Sequence, residues 1–148
     1  MERRDQVILT NMCMIRDGSK VLVEEKKGRG VKGIIFPGGH VEKDEPIVDS
    51  VIREVREETG LTIEDPKLCG IKDFIDGDMR YFVFLFTAEK FSGTLTSSAE
   101  GRVFWVELED IPSMQTIWDT DLLLPIFAEG AYTELFMNAA DGWKPVMK

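Results

Sequence analysis

Glu54, Glu57 and Glu58 fall at i, i+3 and i+4 in the run Arg53-Glu-Val-Arg-Glu-Glu-Thr-Gly60. On a helix, at about 100° per residue, that spacing sets the three carboxyls on one stripe. Like charges so placed destabilise a helix by roughly 0.2–0.5 kcal/mol per pair. They also sit in its last turns, where the helix dipole is already negative. Arg53 and Arg56 offset part of this, Arg53 by reaching Glu57 at i+4. Two readings fit the stripe: a solvated charged face, or oxygen ligands for a hard divalent cation such as Mg²⁺. Gly38-Gly39, shortly upstream, offers backbone free of side chains. Such a loop either makes a plain turn or aims a carbonyl at a metal and lets a polyanion approach.

These groups need elements to hold them. Asp44 or Glu45 can cap a helix whose first turn takes Pro46. Val48, Val51, Ile52 and Val55 then recur as one apolar stripe, and Gly60 suits the C-terminal cap. Residues 7–15 and 20–25 predict a hairpin turning at Asp17-Gly18-Ser19. Residues 26–33, basic and glycine-rich, predict a loop, followed by a short extended piece over Ile34-Ile35-Phe36. Further strands are expected over 68–74, 80–88 and 103–108, with Asp76-Gly77-Asp78 turning between the first two. Asp110-Ile111-Pro112 marks a turn, 119–128 a second helix that must accommodate Pro125, and the tail from Tyr132 is ambiguous. Many adjacent strands mixed with helices predict an α+β sandwich, one domain over 1–148.

The chain of 148 residues can enclose a real core. No apolar run approaches the roughly 18 residues of a membrane span, so no membrane partner is expected. The apolar stretch near the start is too brief and broken for a signal peptide, and fits an opening strand in a cytoplasmic protein. Cys13 and Cys69 show no metal or redox spacing, and two buried free thiols are expected. The formal net charge of −9, without a Lys/Arg stripe, argues against polymeric nucleic acid. A small phosphorylated substrate remains compatible if a divalent cation stands between it and the acids.

From Gly39, five residues lead to Glu45 and seven more to Arg53, after which Glu54-Val55-Arg56-Glu57-Glu58-Thr59-Gly60-Leu61 completes the run. This resembles the whole Nudix box, G-x5-E-x7-R-E-U-x-E-E-x-G-U with U aliphatic, at all nine specified positions over residues 39–61. The nearest likeness is to the MutT-like branch, which includes 8-oxo-dGTP diphosphatases. The resemblance implies a Nudix-like α/β/α sandwich with a mixed sheet and the loop-helix. It implies that Glu54, Glu57 and Glu58 bind catalytic Mg²⁺ (Mn²⁺ substituting), with the Gly38 carbonyl as a further ligand. Gly39, Glu45 and Arg53 would support the site. Glu100, before Gly101, matches the place where such proteins carry a further carboxylate that binds metal or orients water.

The implied reaction is attack of water on phosphorus, a nucleoside triphosphate giving a monophosphate and pyrophosphate. His40, the only histidine, is a candidate phosphate contact or a structural loop residue, and Lys26, Lys27 and Arg29 are candidates near the mouth. Trp118-Asp119-Thr120-Asp121 suggests a purine site, an indole to stack and carboxyls to read the ring edge. The alternative puts Trp118 in the core with Asp119 or Asp121 capping a helix. Asn11 is a candidate amide for the base, and Trp105 is expected in the core. Competing functions are cleavage of another nucleoside diphosphate derivative, such as a nucleotide sugar, and a Nudix-fold binding module without catalysis. Monomer and homodimer both remain open.

Overall fold

The computed structural model describes residues 2–28 and 30–148. Strand β1 (Gln6–Asp17) turns at Gly18 into β2 (Lys20–Gly28), yet the two pair only through Arg16↔Val21 and Asp17↔Lys20. Beyond that turn each finds other partners. β1 runs parallel to β6 (Met79–Ala88), from Gln6↔Met79 to Ile15↔Ala88. β2 lies between β3 (Val31–Ile35) and β8 (Arg102–Glu107). β5 (Lys67–Asp76) forms a hairpin with β6 and pairs in parallel with β9 (Glu134–Asn138), which β10 (Val146–Met147) edges. The result is a mixed eight-stranded sheet, with β4 (Leu61–Glu64) and β7 (Lys90–Gly93) paired separately.

Helix α1 (Ile47–Thr59) covers one face of the sheet. Val51 and Val55 pack there with Cys13, Ile15, Leu22 and Phe86. Alternate residues of β1 and β2, Met12, Met14, Val21 and Val23, face the other core with Ile126 and Phe127. The α+β sandwich is therefore as expected. No helix among the described residues is long and apolar enough to cross a membrane.

Several local expectations need correction. Residues 26–28 and 31–33 are strand rather than loop: β2 and β3 stay paired through Lys26↔Gly33, Lys27↔Lys32 and Gly28↔Val31, so backbone groups there are met by the ladder. The second helix over 119–128 is instead a 3-10 turn (Thr120–Leu123) and a single α turn, α2 (Leu124–Phe127). Pro125 explains this, because it lacks the N–H of an interior position and is tolerated only where a turn begins. The tail supplies β9 and β10. On α1, Pro46 holds the cap position without a side-chain hydrogen bond, and Val48 is 44% exposed. The buried face runs through Ser50, Val51, Val55 and Glu58, so it passes Val48 by and takes in a carboxylate. Gly60 caps the helix as expected, at φ 78°. Both cysteines are free, Cys13 buried and Cys69 half-buried.

Candidate active site

The divergence of β1 and β2 leaves a free edge on β1, and the glycine loop occupies it. Cys13 N–H donates to the Pro37 carbonyl (2.8 Å), Asn11 N–H to Gly39 (2.8 Å), and Val41 N–H to Leu9 (3.0 Å). The Gly38 carbonyl, between two occupied neighbours, receives no backbone N–H among the described residues. A Cβ at Gly38 would run into the Asn11 carbonyl, and one at Gly39 into the Glu54 carboxyl. Gly38 and Gly39 are therefore explained by close approach rather than by unusual φ.

Asn11 is committed to holding this loop. Its Nδ2 donates to Ser50 Oγ (2.8 Å), and its Oδ1 accepts from Gly39 N–H (3.1 Å). The amide ties the loop to α1, and Asn11 also lines the cavity described below.

Arg53 organises the acids around it. Its Nε donates to Glu45 Oε2 (2.7 Å), and its Nη2 to Glu45 Oε1 and the His40 carbonyl (both 3.0 Å). Its Nη1 donates to Glu54 (3.0 Å) and Glu57 (3.1 Å). The hydrogen bond from Arg53 holds the Glu45 carboxyl below its usual range, and these partners make Arg53 more basic still. Burial raises the pKa of Glu54, against the opposing pull of Arg53.

Glu58 points inward from the same helix, and Gly38 N–H donates to its Oε2 (3.1 Å). One carboxylate oxygen each from Glu24, Glu58 and Glu100 lies within 4.8 Å of the others. Glu24 and Glu58 are buried, and Glu100 is exposed on its loop. Burial, then Glu24 and Glu100 close by, raises the Glu58 pKa. An all-oxygen, acidic donor set of this kind fits a hard divalent cation. Glu57 stands apart, its side chain 59% exposed on the outer side of Arg53.

Glu54, Glu58, Glu100, Gly38 and Gly39 open onto a cavity of about 590 Å³. Its apolar part includes Phe74 and Tyr81, stacked with centroids 4.7 Å apart, and Trp143 set edge-on to Phe74 at 5.7 Å. Trp118 lines it too and is 55% exposed, so the core placement weighed for it is excluded. Lys26 lies over the Trp118 ring at 5.7 Å, and His40 is also on the cavity wall. Lys72 Nζ donates to the Trp118 carbonyl (2.9 Å) and pairs with Asp119 at 3.3 Å. Burial lowers the Lys72 pKa, with Asp119 opposing the shift. Asp121 lies outside the cavity lining and accepts from Thr116 Oγ1 (3.0 Å). Arg29 lies outside the described residues.

Sequence reasoning missed Glu24, Lys72, Phe74, Tyr81 and Trp143. Glu24 carried a signal, an acid directly continuing the apolar run Val21-Leu22-Val23 in a buried strand. Lys72 carried the same signal in β5, where it and Asp73 are both buried. Trp143 comes from the tail, which had no assigned element.

Residues 8–124 match the NUDIX domain family. The chain belongs to the Nudix family. This Nudix hydrolase is similar to the uncharacterized Nudix hydrolase YvcI of Bacillus subtilis (strain 168), 39% identical over 108 residues, 69% of this chain and 67% of that one. The oxidized purine nucleoside triphosphate hydrolase of Danio rerio is 32% identical over 118 residues, 78% of this chain and 75% of its own. The crystal structure of the mutator MutT protein from Bacillus halodurans matches with a TM-score of 0.75 at 23% identity, covering 94% of each chain, a likeness of fold. As a Nudix hydrolase the protein acts on phosphoanhydride bonds of small nucleotide substrates, a chemistry for which the family generally uses a divalent metal.

Proposed function

We propose that this hydrolase converts a nucleoside triphosphate to the monophosphate and pyrophosphate with Mg²⁺, Mn²⁺ substituting, and favours oxidised purines such as 8-oxo-dGTP. The observation that carries this is the shared cavity: carboxylates suited to a cation and aromatic faces suited to a purine open onto the same 590 Å³ space. The similarity to an oxidized purine nucleoside triphosphate hydrolase supports the choice of base.

A cation bound by Glu54, Glu57, Glu58, Glu100 and the Gly38 carbonyl would offset phosphate charge and make water more acidic. Glu57 must leave Arg53 to join that set. The chain's own part is to position the phosphates and take one proton. The water oxygen forms a bond to phosphorus while the bridging P–O bond breaks, and the proton passes to Glu54 or Glu100. Lys26 and His40 line the wall as phosphate contacts. Trp118 stacks on the base, and Asp119, held by Lys72, meets its ring edge.

A panel of nucleoside triphosphates, nucleotide sugars and other diphosphate derivatives tests the reading, scored for pyrophosphate against phosphate release with and without Mg²⁺. Fastest pyrophosphate release from an oxidised purine triphosphate is expected. Preference for a nucleotide sugar would displace the triphosphate reading, and inactivity on the whole panel would favour a binding module.

A further inference from the structure

Glu24 is outside the motif that assembles the rest of the site. It sits on β2 rather than in residues 39–61, and it is wholly buried. Among the described residues, neither of its carboxylate oxygens has a hydrogen-bond partner. Leaving a carboxylate unpaired away from water is among the costliest arrangements a fold can hold. Nearby cations do not answer it. Arg102 and Lys27 pair with Glu25, Arg53 pairs with Glu54, and among the described residues none pairs with Glu24, Glu58 or Glu100.

The direction in which Glu24 points removes the puzzle. Alternation along β2 places it on the face of Leu22, which packs under α1, and there its carboxyl meets Glu58. Gly101 keeps room for it: a Cβ there would lie 3.0 Å from Glu24 Oε1. Two acids so placed have no hydrogen to share unless a proton or a cation lies between them. Glu100, a third acid at the same point and open to water, favours the cation.

We infer that Glu24 is a ligand of the divalent cation, contributed by β2 and completing a site with Glu58 and Glu100. This rests on the metal-dependent reading above. The site is therefore anchored on both the sheet and the helix, and its oxygens are in place before nucleotide arrives.

Mn²⁺ titration of the full chain without nucleotide, read by electron paramagnetic resonance, tests this with Glu24→Gln and Glu58→Gln. Glu24→Gln is expected to weaken Mn²⁺ binding at least about tenfold, the lower end of what even an outer partner of a ligand costs. Its metal-free Tm is expected to equal or exceed that of the unaltered chain, because an unpaired acid is gone. Mn²⁺ affinity within twofold of the unaltered chain, alongside a weakened Glu58→Gln, would remove Glu24 from the ligand set and leave the proposed function standing. Unchanged binding in both variants would overturn the two together. An anomalous map from a manganese-soaked crystal of the unaltered chain needs no variant. A peak bonded to Glu24 is expected, and a peak bonded only to the other acids contradicts the assignment.

Discussion

Glu24 on β2 and Glu58 on α1 meet carboxyl to carboxyl inside the protein, the first fully buried and the second 2% exposed. Sheet and helix thus each present an acid to one point, with Glu100 arriving from a loop. Arg53 stands on the other side of the helix stripe and neutralises Glu45, Glu54 and Glu57 instead.

Glu57→Gln is expected to lower kcat by about 100-fold or more if Glu57 swings from Arg53 onto the cation. Steady-state kinetics at saturating Mg²⁺ measures it. Turnover near that of the unaltered chain would take Glu57 out of the metal set and leave the inner acids to do its work.

Glu45→Gln should lower Tm at neutral pH, and the deficit should shrink on acidification. The folded-state pKa of Glu45 lies below its ordinary value, so its contribution is present above that ordinary value. It fades as pH falls through the lowered one, where both states are protonated. Thermal melts of both proteins from pH 7 to pH 3 test this; a constant deficit would show that the lost charge is not its source.

Gly38→Ala should cost about 1–3 kcal/mol of stability, because the new methyl meets the Asn11 carbonyl of β1 and backbone must give way. Urea unfolding reads this directly. Stability equal to that of the unaltered chain would mean the loop moves aside freely.

Trp118→Ala should raise KM for the preferred nucleotide about tenfold, in line with the roughly 1–3 kcal/mol of base stacking, and leave kcat nearly unchanged. Trp105, packed against Phe91, gives the comparison, since its truncation should act on Tm rather than KM. An unchanged KM for Trp118→Ala in a folded protein would exclude the stacking role.

The motif residues were legible because their geometry is local. Helical spacing alone brings Glu54 and Glu57 to Arg53, and Gly60 announces the helix end. Glu24 was hidden because its partner Glu58 lies 34 positions away, and only the packing of α1 on β2 joins them (58 − 24 = 34). Lys72 met the same obstacle, its partner Trp118 lying 46 positions along the chain and Asp119 one further. β9 pairs in parallel with β5, a contact that no hairpin signal announces. Glycines disguised the β2–β3 hairpin, and Pro125 divided a helix that the apolar pattern had joined. The bonds of Asn11 to Ser50 and Gly39 were not legible, since an amide's contacts depend on the loop laid beside it.

Hydrolysis of 8-oxo-dGTP in oxygen-18 water, with Mg²⁺ and then with the metal chelated, tests the central claim most directly. Monophosphate and pyrophosphate carrying one labelled oxygen between them are expected, formed only while Mg²⁺ is available. Release of inorganic phosphate and a diphosphate, or the same rate after chelation, would contradict it.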